Sequence, residues 1–301
     1  MKKKIIAKIS EGLGNQFFMY ANSFAISKKF NLDFYIDPFS GYFKKNIRNY
    51  MLYNFNITSD IAPRNWIFDS YYTNLTKKIS MKFDFFRNNK SFIYEKKNLD
   101  KSTFFNPVDI DNTNNTFYID GNFESEKYFL DSRSDLLNEF SLINNKKYIS
   151  NKYINEINSE NVVSICVRQN RFSERINNYS NILSIDKSKN FVKDTITYIK
   201  KAEILIENKI KNPKYYIWSD SFNNLREYFP EKKYTFIIND EDKILNDFFL
   251  LKSCKYFIVG PTTFHWWGAW LSDFEDKICI RPRNLNPSNN RDFWPNTWLD
   301  V

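Results

Sequence analysis

Short apolar runs alternate with amphipathic stretches along this chain. Lys4–Ser10 reads as a strand and Gly12-Leu13-Gly14 as a turn. From Asn15, Phe18, Ala21, Phe24, Ala25 and Lys28 recur at helical spacing to about Phe30, and Leu32–Ile36 follows as a second strand. Residues 40–135 mix Phe, Tyr and Asn without a clean period; within them Thr116–Asp120 reads as a strand ended by Gly121, followed by a helical stretch over Ser125–Glu139. From Asn161 the pattern sharpens. Strands are expected at Val162–Val167, Tyr215–Trp218, Tyr234–Ile238, Tyr256–Val259 and Cys279-Ile280. Helices are expected between them, around Val192–Ile206, Asn223–Tyr228, Ile244–Lys252 and Phe264–Leu271. Such alternation predicts parallel sheets covered on both faces. Right-handed crossovers then collect the strand C-termini at one edge, where ligands bind. The expected architecture is α/β, with two Rossmann-like, doubly wound domains, 1–150 and 151–301, facing across a cleft.

The 301 residues suffice for one large domain or two ordinary ones. No apolar run reaches the roughly 18 residues of a spanning helix. The basic start Met1-Lys2-Lys3-Lys4 lacks the apolar core of a secretion signal, so a cytoplasmic protein is expected. Cys166, Cys254 and Cys279 are odd in number and far apart, which fits reduced thiols rather than a disulfide framework. A single histidine, His265, excludes a multi-histidine metal site. The six glycines are few enough that each is expected where the backbone demands it. Net charge is +9 and favours anionic partners: phosphorylated ligands or peripheral contact with an anionic membrane surface. Nucleic acid is excluded as a partner, because the aromatics lie in apolar runs and no RNA- or DNA-binding pattern is present.

Four segments are candidates for chemistry. Glu11-Gly12-Leu13-Gly14-Asn15-Gln16 places a turn before a helix N-terminus, where the dipole favours negative charge; it is neither a P-loop nor GxGxxG. Val162–Val167 delivers Arg168 and Arg171 to a strand end, where a guanidinium can grip a phosphate or pair with a surface carboxylate. Asp220 ends another strand, either to accept from a base or ribose or to cap the next helix. The fourth segment, Val259-Gly260-Pro261-Thr262-Thr263-Phe264-His265-Trp266-Trp267-Gly268-Ala269-Trp270-Leu271, opens a helix on an anion cradle or on a threonine-capped core helix. Asp109-Ile110-Asp111 and Asp240-Glu241-Asp242 lie in polar loops and read as solvated turns rather than magnesium ligands.

These segments, in this order, resemble the glycosyltransferase family 11 α-1,2-fucosyltransferases. The family's opening Gly-Gly-Leu-Gly-Asn-Gln is matched by Glu11–Gln16, with Glu11 in place of the first glycine. Its late aspartate-Phe-Phe helix and Trp-Trp-Gly-Ala-Trp run are matched by Asp247-Phe248-Phe249 and Trp266–Trp270. Its donor motif, His-x-Arg-Arg-Gly-Asp, becomes Cys166-Val167-Arg168-Gln169-Asn170-Arg171. The resemblance implies a GT-B fold, with the N-terminal half mainly holding the acceptor and the C-terminal half GDP-fucose, and an inverting transfer of fucose to a galactose-like acceptor in an oligosaccharide or lipid-linked surface glycan, with no metal and no cofactor. Arg168 would be the catalytic residue. Gly14, Asn15, Gln16, Asp220, Thr262, Thr263, Phe264 and His265 would bind the donor. An inverting transfer also needs a base; the resemblance assigns none, and Glu11 at the turn and Glu174 after the donor motif are candidates by position alone. The altered donor motif leaves two alternatives, another GDP-sugar or a catalytically weak glycan-binding relative.

Overall fold

The structure is a computed structural model, which describes residues 2–43, 48–82, 90–110, 114–149, 151–174, 182–239 and 242–301. Asp111, Asp240 and Glu241 of the two Asp-x-Asp pairs lie outside the described residues. The chain forms two compact units, Met1–Ile143 with Ser288–Pro295, and Asn144–Pro287 with Asn296–Val301. The halving expected at residue 150 is therefore corrected: a C-terminal stretch returns to the first unit. Phe293 is fully buried there, with its ring 6.1 Å from that of Phe18.

Unit 1 begins with β1 (Lys4–Lys8), α1 (Leu13–Phe30) and β2 (Asp33–Asp37). It continues through β3 (Asp60–Ile61), α2 (Tyr71–Lys82), β4 (Lys90–Tyr94), β5 (Thr116–Asp120) and α3 (Arg133–Glu139). All pairings in its sheet are parallel, in the order β3-β2-β1-β5-β4. The central residues of β1 are buried, as a strand covered on both faces requires. Helix α1 is buried along most of its length. Phe17 packs at 5.0 Å from Phe55 and 4.2 Å from Phe140. The helical stretch expected over Ser125–Glu139 is instead two 3-10 turns, Glu126–Tyr128 and Leu130–Ser132, before α3.

Unit 2 contains α4 (Lys146–Ile149), α5 (Ile154–Ser159), β6 (Val162–Val167), α6 (Ile182–Glu207), β7 (Lys214–Ser219) and α7 (Leu225–Tyr228). It ends with β8 (Tyr234–Phe236), α8 (Lys243–Lys252), β9 (Tyr256–Ile258), α9 (Thr263–Leu271), β10 (Ile278–Arg281) and β11 (Leu299–Asp300). Its parallel sheet runs β11-β10-β9-β6-β7-β8, the strand order of a dinucleotide-binding fold. Every residue of β6 is buried, which explains its unbroken apolar and small composition. Gly268 is required by packing, since a Cβ there would lie 2.8 Å from Leu251 Cβ where α9 meets α8. Trp266 and Trp267 are fully buried, and Trp266 stacks on Trp270 at 6.0 Å.

Candidate functional site

In unit 2 the chain runs from β6 outward to β7 and β8, then returns to β9 on the other side. The sheet's topological switch point therefore lies between β6 and β9, and the crevice at their C-terminal ends is where such sheets hold ligands. Three of the segments singled out above converge on this edge: Arg168 after β6, Asp220 after β7, and Gly260–Thr262 between β9 and α9. Gly260 is obligatory. A Cβ at that position would lie 2.0 Å from the Cys166 carbonyl oxygen, so only glycine lets the two strand ends approach.

Arg168 is partly exposed, and its Nη2 donates to Glu174 Oε1 at 2.5 Å. That contact orients the guanidinium and occupies the Glu174 carboxylate, which argues against Glu174 as a free base. Asp220 is exposed, and its two carboxylate oxygens accept from the backbone N–H groups of Gln169 (2.7 Å) and Asn170 (3.0 Å). It is the clamp that shapes the loop carrying Arg168. Arg171, where the family has its acidic residue, donates to the Pro287 carbonyl and lies over the Phe191 ring at 5.0 Å. Cys166, where the family has histidine, is buried, and burial pushes its thiol up to about 12, so it stays protonated.

Thr262 caps α9, its hydroxyl accepting from the His265 N–H at 3.1 Å. Thr263 and Phe264 are half-buried in the first turn. His265 is placed differently from the expectation. Its ring is wholly buried, Nδ1 accepts from the Gly260 N–H at 2.8 Å, and Nε2 faces Ser164 Oγ at 3.0 Å. Accepting at Nδ1 leaves the proton on Nε2, so the ring is neutral, and burial pushes its pKa down to about 3. Both nitrogens are engaged inside the protein, and the ring braces the glycine turn instead of reaching a ligand.

Asp247 of α8, which spacing alone does not mark, stands out in the structure. It is buried, accepts from Asn239 Nδ2 at 2.7 Å, and burial raises its carboxyl pKa to about 6. The Lys243 ammonium partly offsets that rise, and the Asp247 charge helps push the Cys166 thiol up.

Gly14, Asn15 and Gln16 belong to unit 1, in the first turn of α1. Gln16 is buried and its amide is used internally. Nε2 donates to the carbonyls of Glu11 (2.9 Å) and Asn49 (2.8 Å), and Oε1 accepts from the Met51 N–H at 2.9 Å. Glu11 holds a left-handed backbone with φ of 64°, an uncommon conformation that fits the glycine found there in the family pattern. Gly12 has no such demand: a Cβ there would meet only Arg48, at 3.8 Å.

The family model for glycosyl transferase family 11 matches residues 9–296. This chain belongs to that family. It is 24% identical to an alpha-1,2-colitosyltransferase of Escherichia coli over 99% of this chain and 98% of that one. It is 30% identical to the O-antigen biosynthesis glycosyltransferase WbnK of Escherichia coli over 107 residues, 35% of either chain. Among solved structures, the fucosyltransferase NodZ from Bradyrhizobium matches with a TM-score of 0.51 at 13% identity, covering 89% of this chain and 92% of that one. The fold is GT-B, and the protein is a glycosyltransferase. Among the described residues no helix is long and apolar enough to cross a membrane.

Proposed function

We propose that this family 11 glycosyltransferase transfers fucose from GDP-fucose to a hydroxyl, O2, of a galactose-like acceptor in a surface glycan, with inversion at the anomeric carbon. The observation that carries the reading is that Arg168 and the turn into α9 both follow the paired strands β6 and β9, at the unit 2 switch point. The acceptor oxygen attacks C1 of the donor sugar. The C1–O bond to the β-phosphate breaks, its electron pair leaves on GDP, and the acceptor proton passes to a base or to water. Charge grows on the diphosphate as that bond breaks. The Arg168 guanidinium and the α9 dipole meet it, and a preorganised donor of this kind is worth about 3 kcal/mol, or on the order of 10²–10³ in rate. Asp220 acts through the loop N–H groups it holds, and His265 through the Gly260 turn. The Asp247 carboxyl, buried behind this edge, suits a hydrogen bond to the nucleotide base.

The relatives named above support glycan transfer, and the colitosyltransferase supports the α-1,2 linkage. The same relative, with the changes at Cys166, Gln169 and Arg171, favours a second reading in which a colitosyl group replaces the fucosyl group. The test is incubation with GDP-fucose and methyl β-D-galactoside, with GDP release and product linkage read by NMR. An α-1,2-linked fucoside is expected. Intact GDP-fucose alongside turnover of the colitosyl donor selects the second reading, and no turnover of either donor across a panel of galactosides contradicts both.

A further inference from the structure

The flank of unit 1 carries a cavity of about 550 Å³, between the second half of α1, the two 3-10 turns before α3 and the loop at 105–108. Helix α1 leads from the C-terminal end of β1 back to the start of parallel β2, so its second half lies away from the strand C-terminal ends. Asn22, Ala25, Ile26 and Lys29 line the cavity at helical spacing, along one face of α1. The opposite wall carries the Phe105 and Tyr128 rings, packed edge to face at 4.9 Å and both partly exposed. Asn22 is out of keeping with its face. It is 0% exposed, and among the described residues neither its Nδ2 nor its Oδ1 has a hydrogen-bond partner. A buried carboxamide without partners lowers stability, and asparagine is a weaker helix former than alanine. Folding alone favours an apolar side chain at this position, so the carboxamide has a use outside the fold.

We propose that this cavity is a carbohydrate site separate from the reacting centre, which takes one neutral hexose with two hydroxyls on the Asn22 carboxamide and its C–H face on the Tyr128 ring. The rim sets the charge of the ligand. Lys28 pairs with Asp135 at 3.5 Å and Lys127 with Asp292, while Lys29 and Asp131 add one charge of each sign. A rim balanced in this way gives no net hold on a phosphate or a carboxylate, and a polar floor at Asn22 does not suit a hydrocarbon. A carboxamide donates at Nδ2 and accepts at Oδ1, which two hydroxyls of one hexose satisfy together. An aromatic face supplies the apolar surface that the C–H face of a pyranose covers. The volume lies within the range of about 300–1,000 Å³ in which mostly apolar walls and a few polar groups hold small ligands. The hexose comes either from a glycan chain, a source that rests on the preceding reading, or from a free sugar in solution.

The test is NMR on the full chain with its asparagine nitrogens isotope-labelled. The side-chain amide signals of Asn22 are assigned by their loss in Asn22→Leu, then followed as methyl glycosides of galactose, glucose or mannose are added. At least one glycoside should move them. Ala25→Phe, which fills the cavity from the same helix face, should weaken that response by at least about tenfold while the thermal shift with GDP stays. Asn22→Leu should raise Tm, because the fold loses no hydrogen bond. Asn22 signals that none of the three glycosides moves, a response unchanged in Ala25→Phe, or a lowered Tm in Asn22→Leu overturns the site. Lactose bound at least about tenfold more tightly than the methyl glycosides identifies a glycan chain as the source, and equal affinity a free hexose. A sugar response without any GDP response keeps this site and removes the donor reading.

Discussion

Replacing His265 by leucine separates a bracing ring from a ligand-binding one. The substitution removes the acceptor of the buried Gly260 N–H and the partner of Ser164 Oγ, bonds of 2.8 and 3.0 Å. An orphaned buried N–H costs about 1–3 kcal/mol and a lost neutral hydrogen bond about 1 kcal/mol, so the sum is about 3 kcal/mol. In a unit of about 150 residues that lowers Tm by about 6–12 °C. Scanning calorimetry is the assay, because two units need not unfold as one. The pH dependence supplies a second readout. The imidazole is held neutral down to about pH 3 in the folded protein, against about 6.5 when unfolded. The unfolded chain therefore binds one more proton between those values, and stability is full above about pH 6.5 and falls by up to about 1.4 kcal/mol per unit below it. His265→Leu should lose that part of the slope. A variant with wild-type Tm and slope but a raised KM for the donor would refute the bracing role and restore His265 as a donor contact.

Other substitutions probe the same edge. Arg168→Ala should lower kcat/KM by at least about 100-fold with Tm nearly unchanged, as steady-state kinetics and calorimetry together will show. Asp247→Asn should raise Tm at pH 8, since the buried carboxyl has its pKa raised to about 6 and its ionised form destabilises the fold. That gain is present above about pH 6 and fades as pH falls toward about 4, where the aspartate is protonated in both states. Gly260→Ala drives a Cβ to 2.0 Å from a backbone oxygen and should abolish soluble folded protein, read by circular dichroism.

Legibility in the sequence followed burial. β6 is buried throughout and β5 along its centre, and their expected bounds match those observed. Helix α9 announced itself because its run of Trp266, Trp267 and Trp270 is buried, with Gly268 where α9 meets Leu251 of α8. β3 is two exposed residues held by β2, so no apolar alternation marks it. α2 exposes Tyr71, Tyr72, Leu75 and Ile79, so no clean helical period marks it in the sequence. The return of Ser288–Pro295 to unit 1 is a long-range event with no local signature. At the site, Arg168 and Asp220 directly follow strands and Thr262 opens helix α9, the positions the sequence pattern gives them. Gln16 and His265 kept their positions but not their expected roles. Their polar atoms are consumed by Asn49, Met51 and Ser164, partners that spacing along the chain does not reveal.

A guanine-nucleotide sugar site in unit 2 shows itself most directly through nucleotide-selective stabilisation. Calorimetry with GDP, UDP, ADP and CMP, each with and without EDTA, reads it. A nucleotide at about 100 times its dissociation constant adds about 2.7 kcal/mol. The expected result is a shift with GDP alone, unchanged by EDTA and much reduced in Arg168→Ala. A shift with UDP that EDTA abolishes, and none with GDP, would contradict it.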